Sequence, residues 1–208
     1  TCILNIGGIS NITIIGEPSG IYGFTSRDIG PGNCLIDSWV RKNSKYKFDK
    51  DGLFASIGKR NDIIFEQAQE LFSNRPNQNK LSFDVNDFDV SFARGLSLED
   101  GVTTLTDFTA RIIGAALLSL LSNVNNKIWK VLICGGGRKN KVLIEKIKKN
   151  TLKNIVILPI DDYGIDGDFI ESQAFAYLAI RSILKLPISF PGTTGCSQPI
   201  SGGEFIKY

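Results

Sequence analysis

The 208-residue chain carries 24 Lys+Arg against 21 Asp+Glu, a net charge of +3, with 42% hydrophobic and 22% charged residues and no His. That balance belongs to a globular domain long enough to bury one core, and its interspersed charges lack the clustered basic face that nucleic-acid phosphates demand. The four cysteines, Cys2, Cys34, Cys134 and Cys196, lie far apart with no C-x-x-C pair and no His to complete a zinc site, so they read as reduced thiols of a cytosolic protein.

In chain order, Cys2-Ile-Leu-Asn-Ile6, Ile12-Thr-Ile-Ile15 and Ile21 to Thr25, punctuated by Gly7-Gly8 and Pro18-Ser-Gly20, predict a three-stranded antiparallel meander. After the loop Gly30-Pro-Gly-Asn33, Leu35, Ile36, Trp39 and Val40 recur at helical intervals, with Asn33 near the cap. Further helices are expected at 51–58 and 60–73, then a polar loop at 74–86, then the longest helix from about Leu98 to Asn123, whose small residues suit a close crossing.

Beyond it the pattern alternates. A buried strand at Lys130–Cys134, a helix at 138–150, a strand at Ile155–Leu158 and a helix from Phe169 to Leu184 precede an irregular tail from Pro187. The order predicts an α/β fold in which three antiparallel strands are followed by parallel crossovers, a mixed sheet flanked by helices. The lysines between Lys139 and Lys153 alternate with Val142, Leu143, Ile144 and Ile147, the pattern of an amphipathic helix with a wet face. The apolar run around Ile112–Leu121 is too short and interrupted to span a bilayer, and nothing at the N-terminus resembles a signal peptide, so a soluble, cytoplasmic protein without a membrane partner is expected. Thr1 opens directly in a strand-like run and Met is absent, so a segment upstream is expected.

Four segments bear chemistry. Leu4-Asn-Ile-Gly-Gly-Ile-Ser-Asn11 joins two strands through a glycine pair whose N–H groups can face an anion, or which is simply a turn. In Arg27-Asp-Ile-Gly-Pro-Gly-Asn33 an acid precedes a glycine-rich turn and a helix N-terminus, where Asp28 could take a proton from a hydroxyl or water, or could cap and pair with Arg27. Val131-Leu-Ile-Cys-Gly-Gly-Gly-Arg-Lys-Asn140 runs a strand into three glycines, which favours a ligand against bare backbone although neither G-x-G-x-x-G nor the P-loop spacing is met. Asp161-Asp-Tyr-Gly-Ile-Asp-Gly-Asp168 lacks the EF-hand order, so its acids read as loop and cap residues and no metal ligands are assigned; Glu171, in the first turn of the helix that follows, is kept as a candidate beside a capping role.

Together and in order, these segments, with Asp37-Ser-Trp39, Asp49-Lys-Asp-Gly52, Leu105-Thr106, Glu171-Ser-Gln-Ala-Phe-Ala176 and Thr194-Gly195, resemble the anhydro-N-acetylmuramic acid kinase family of the actin, hexokinase and Hsp70 superfamily. The resemblance implies that residues 1–208 form a single C-terminal ribonuclease H-like lobe of a two-lobed kinase, with the N-terminal lobe outside the chain, so that this chain alone is expected to be inactive. It further implies transfer of the γ-phosphoryl of ATP, with Mg²⁺, to the 6-oxygen of 1,6-anhydro-N-acetylmuramic acid, with hydrolytic opening of the anhydro ring, in cell-wall recycling. Carried over, Asp28 is the base; Gly7, Gly8 and Asn11 form a phosphate loop; Gly135, Gly136, Gly137 and Asn140 form the adenosine loop; Asn33 and Glu171 contact the sugar or its attacking water. The partner is then a small-molecule sugar, with a homodimer as candidate assembly. The chain departs from the family at Asn74–Val85, where a Pro-Lys-Ser-Thr-Gly-like run is usual, and at Ile29, where Thr is common. The rival readings are another sugar kinase of the superfamily and a non-catalytic lobe from a split or decaying gene; a Rossmann binder fails on glycine spacing.

Overall fold

The computed structural model describes residues 1–16, 23–74, 82–121, 128–204 and 206. Five strands, β1 (Cys2–Ile6), β2 (Ile9–Ile15), β3 (Phe24–Pro31), β4 (Trp129–Cys134) and β5 (Ile155–Pro159), form one sheet in the order β3-β2-β1-β4-β5. β1, β2 and β3 pair antiparallel, whereas β4 runs parallel to both β1 and β5. This is the mixed sheet expected, and its topology is that of a ribonuclease H-like lobe. The expected turn Pro18–Gly20 and the start of the third strand at Ile21 lie outside the described residues, as do residues 122 and 123 at the expected end of the long helix.

The helices are α1 (Cys34–Asn43), α2 (Leu53–Ile57), α3 (Asp62–Ser73), α4 (Leu98–Leu121), α5 (Lys141–Lys149), α6 (Ile170–Ile183) and the single turn α7 (Pro191–Thr194). Strand alternation buries Cys2, Leu4, Ile6, Ile12, Val131, Ile133, Ile155 and Ile157 on one sheet face, against Ala110, Ile113, Leu117 and Leu121 of α4 and Leu143 and Ile147 of α5. A second cluster joins α1, α2, α3 and the other side of α4 through Leu35, Ile36, Trp39, Ala55, Ala68, Leu105 and Phe108.

The small residues of α4 do permit close crossings. A Cβ on Gly101 would lie within 2.2 Å of Trp39 Nε1, and one on Gly114 within 2.5 Å of Asn150. Trp39 Nε1 also donates to Leu98 O at 3.2 Å, fixing α1 across the start of α4. By length and composition alone α4 could cross a membrane, but 61% of its apolar window is buried and it is the core helix of this fold.

Two further differences bear on function. The third strand continues through Arg27, Asp28, Ile29 and Gly30 to Pro31, a stretch expected to be loop. Pro31 is tolerated because β3 is the edge strand, and a bulge at Ser10/Asn11 absorbs the irregular register. The tail expected to be irregular contains α7 and an antiparallel bridge between Ser189 and Ile200.

Candidate active site

The carboxyl ends of β1 and β4 open into a cleft of about 270 Å³ lined by Asn5, Gly7, Gly8, Gly135, Gly136, Gly167, Asp168, Ile170 and Glu171. Such crevices beyond the strand ends are where open α/β sheets bind ligands. The two glycine segments and Glu171, distant in sequence, therefore meet around one space. A ligand pocket usually offers about 300–1,000 Å³, so this cleft falls just under that range.

The β1–β2 turn is anchored from behind. Gly7 O accepts from Asn33 N at 2.7 Å, and Gly8 O accepts from Gly32 N at 2.9 Å and Cys34 N at 3.2 Å. The N–H groups of Gly32, Asn33 and Cys34, leading into α1, are thus spent on this turn. Gly32 is required here, since a Cβ would sit 2.3 Å from Gly7 O. Asn33 occupies the N-cap position, but its side chain makes no cap hydrogen bond, and its Nδ2 lies 3.8 Å from where a Cβ of Gly136 would stand.

The three glycines after β4 differ in role. Gly135 has φ +77°, and a Cβ there would lie 2.3 Å from Asn5 Oδ1 and 2.7 Å from Ile6 O; one on Gly137 would lie 2.3 Å from Ile6 Cγ2. Both are needed for the loop to lie on β1. Gly136 alone has open space and faces the cleft. Asn140 does not line it: the side chain is 6% exposed and its Oδ1 accepts from Leu143 N at 3.0 Å, capping α5.

A buried guanidinium ties this loop to the segment before α6. Arg138, its side chain 7% exposed, donates through Nε and Nη2 to both oxygens of Asp161 at 2.8 and 3.0 Å, and through Nη1 to Asp168 at 2.7 Å and Gly135 O at 3.1 Å. Lys139 Nζ closes the other oxygen of Asp168 at 2.5 Å. These hydrogen bonds hold Asp161 and Asp168 below the usual carboxylate range. Of the acids read as loop and cap residues, Asp161 and Asp168 are clamp residues, while Asp166 Oδ1 accepts from Asp168 N at 2.9 Å within the loop, as a cap does. On α5, Lys146 leaves the wet face to pair with Asp107 at 2.8 Å.

Asp28 stands on β3 opposite Asn11 of β2, which is itself opposite Asn5 of β1, so three polar side chains form a row across the sheet. Neither Asp28 nor Asn11 lines the cleft. Asp28 Oδ2 accepts from Phe83 N at 2.7 Å rather than capping a helix. Val85, two residues on, lies 3.2 Å from a Cβ position on Gly8, so the described end of the atypical loop links Asp28 to the glycine turn.

Asp49, of the Asp49–Gly52 motif, is 5% exposed; its two oxygens accept from Phe54 N at 2.8 Å and Ala55 N at 3.2 Å, and burial raises its pKa. Burial likewise pushes Asp37 up to about 6, with the charge of Asp49 adding to it against Arg41. Sequence reasoning missed Asn5, Gly167 and Ile170. Asn5 was findable, since strand alternation puts it on the face opposite Leu4 and Ile6 beside Gly7. Cys134, its pKa pushed up to about 11 by burial, keeps its proton and donates Sγ–H to Asn5 Oδ1 at 3.7 Å.

Strand order 3-2-1-4-5, with glycine turns meeting at the ends of β1 and β4, defines a ribonuclease H-like fold with a cleft at its strand ends. The family model for anhydro-N-acetylmuramic acid kinase matches residues 1–207, and the chain belongs to that family. The anhydro-N-acetylmuramic acid kinase of Pelagibacter ubique is 52% identical over 99% of this chain and 55% of its own length, and that of Zymomonas mobilis is 39% identical over 97% and 53%. The chain thus spans about half the length of the curated relatives it matches. Among solved structures, the activator of the 2-hydroxyisocaproyl-CoA dehydratase from Clostridium difficile with bound ADPNP aligns with a TM-score of 0.44 at 14% identity, over 81% of this chain and 55% of that one.

Proposed function

We propose that this chain is the C-terminal lobe of a two-lobed, cytoplasmic kinase that uses ATP to phosphorylate the 6-oxygen of 1,6-anhydro-N-acetylmuramic acid while water opens the anhydro ring, giving N-acetylmuramic acid 6-phosphate. The observation that carries the reading is the meeting of the Gly7-Gly8 turn, the Gly135–Gly137 loop and Glu171 around one cleft, with Asp28 two strands from β1 on the same sheet. Family membership supports the assignment of the reaction.

In this reading Asp28 takes a proton from the water whose oxygen bonds to the anomeric carbon; the bond from that carbon to the bridging oxygen breaks, and the freed 6-oxygen receives the phosphoryl group. A base must be held still, and the Phe83 N–H fixes one carboxylate oxygen while leaving the other to act. Backbone N–H groups at Gly7 and Gly8 and the bare surface of Gly136 would receive the nucleotide's phosphates and adenosine, and Glu171 would reach the sugar or its water. Bound Mg²⁺ would supply charge neutralisation on the phosphates. Among the described residues no group of three acids, Cys or His is arranged for a metal, and Asp161 and Asp168 are committed to Arg138, so none of them is assigned to the ion.

The test is phosphorylation by the full-length polypeptide with ATP, Mg²⁺ and the anhydro sugar, the 6-phosphate being read by mass spectrometry. Asp28→Asn keeps an oxygen for the Phe83 N–H, so it should fold normally and lose activity by about 10²–10⁴-fold. An unimpaired variant refutes the base; no product from folded, nucleotide-binding wild type refutes the reaction.

A further inference from the structure

The guanidinium of Arg138 lies behind the cleft wall rather than in it. Its side chain is 7% exposed, whereas its partners Asp161 and Asp168 are 42% and 45% exposed. All three of its nitrogens are engaged: Nε and Nη2 donate to Asp161, and Nη1 donates to Asp168 and to Gly135 O. Gly167, a wall residue, packs on its flank, where a Cβ would lie 2.4 Å from Nε. A cation enclosed in this way is turned towards the acids and away from the ligand space.

Of those acids Asp168 lines the cleft, beside Glu171. One of its oxygens faces Arg138 Nη1 and the other Lys139 Nζ, whose own side chain is 57% exposed. An exposed ammonium on a flexible stem gives up rotamer freedom to hold such a pair and cancels little charge on average. The enclosed fork is different: Asp161 and Gly135 O fix its position, so its positive charge stays against Asp168. Without it, the cleft wall would present an uncancelled carboxylate to an anion.

We propose that Arg138 is a specificity-determining residue of the cleft, which cancels the charge of Asp168 and so lets the wall accept the polyphosphate part of a nucleotide that Arg138 itself does not touch. The inference rests on the nucleotide reading above and adds which part of the nucleotide the residue acts on. A guanidinium that merely held the loop together would behave otherwise, because a distorted Gly135–Gly137 loop would lose the uncharged adenosine as well as the phosphates.

The experiment is calorimetric titration of the full-length polypeptide with two ligands, adenosine and a non-hydrolysable ATP analogue with Mg²⁺. Arg138→Met leaves two half-exposed carboxylates that water can reach, so the chain should fold. It should bind the ATP analogue at least about tenfold more weakly, through repulsion by the uncancelled carboxylate, and adenosine within about threefold of wild type. The defect should shrink as salt is raised, since Asp168 is open to solvent. Adding Asp168→Asn to Arg138→Met should recover most of the loss. Asp168→Asn alone keeps an oxygen for Arg138 Nη1 and should bind the ATP analogue more tightly, with adenosine unchanged; this variant decides the question if Arg138→Met does not fold. Equal losses of both ligands in Arg138→Met overturn the proposal, as does an ATP affinity that Asp168→Asn leaves where it was in either background. Wild type that binds neither ligand takes down the nucleotide reading, and this inference with it; wild type that binds both, with variants that do not separate them, takes down this inference alone.

Discussion

The three consecutive glycines offer the sharpest test of the site, because the structure gives each a different reason to be there. Gly135→Ala meets two penalties: φ of +77° costs about 1–2 kcal/mol for an L side chain, and a methyl 2.7 Å from Ile6 O overlaps backbone that cannot rotate away. Overpacking of that kind adds about 1–3 kcal/mol, so the whole effect should reach about 2–5 kcal/mol. Gly137→Ala has no positive φ to oppose it, but it drives a methyl to 2.3 Å from the Ile6 side chain and 3.0 Å from Ile6 O, for about 1–3 kcal/mol. Gly136→Ala meets only Asn33 Nδ2, at 3.8 Å, and restricts the unfolded chain, so stability should stay within about 0.5 kcal/mol of wild type or rise.

Urea unfolding of the three variants reads this order directly, at constant m-value. The functional half of the argument runs the other way. Gly136→Ala, harmless to the fold, should weaken nucleotide binding by the full-length protein, measured by titration with a fluorescent ATP analogue, because it places a methyl on the cleft wall. A Gly136→Ala variant as unstable as Gly135→Ala would refute the packing assignment. A stable one with unchanged affinity would remove Gly136 from the nucleotide site.

Two further substitutions probe the supporting structure. Asp37, raised to about 6 by burial, is more reluctant to ionise folded than unfolded, so its contribution is a loss of stability that appears as pH rises from about 4 and is complete above about 6. Asp37→Asn should therefore gain about 1–2 kcal/mol at pH 7.5, after allowance for partial solvent screening, and nothing near pH 4, as read by thermal unfolding across that range. In α4, Thr109 Oγ1 is buried with no hydrogen-bond partner among the described residues, so Thr109→Val should stabilise by about 1 kcal/mol in urea unfolding, and a loss would mean that the hydroxyl is bonded.

How much of this was legible in the sequence depends on how local the signal was. α4, α5, β4 and β5 carry their periodicity in their own residues, and the expected and observed spans differ by a few positions. β3 was misplaced because Gly30 and Pro31 are turn residues in isolation; only its place at the sheet edge makes a strand acceptable there. That one error moved Asp28 from a loop before a helix to a strand, and replaced the expected capping partner with Phe83 N. The Arg138 clamp was out of reach, since it spans 23 and 30 residues to Asp161 and Asp168 and leaves no periodic trace. α6 was legible as a helix from its own residues, but its exposure along the whole length was not.

The charges around the cleft constrain how it could hold a nucleotide. Its lining contributes two carboxylates, Asp168 and Glu171, and no cation; Arg138 and Lys139, the basic residues nearest to it, are bound to Asp161 and Asp168. If the cleft receives a polyphosphate as proposed, its attraction must come from backbone dipoles at Gly7, Gly8 and Gly136, which are short-ranged and effective only when the ligand is held against them. A wall of that design positions an anion without capturing it, because fixed N–H groups cost nothing to reorganise but attract weakly across solvent. In the reading proposed above, capture and neutralisation of the phosphates would therefore fall to groups that do not line this cleft and to the metal.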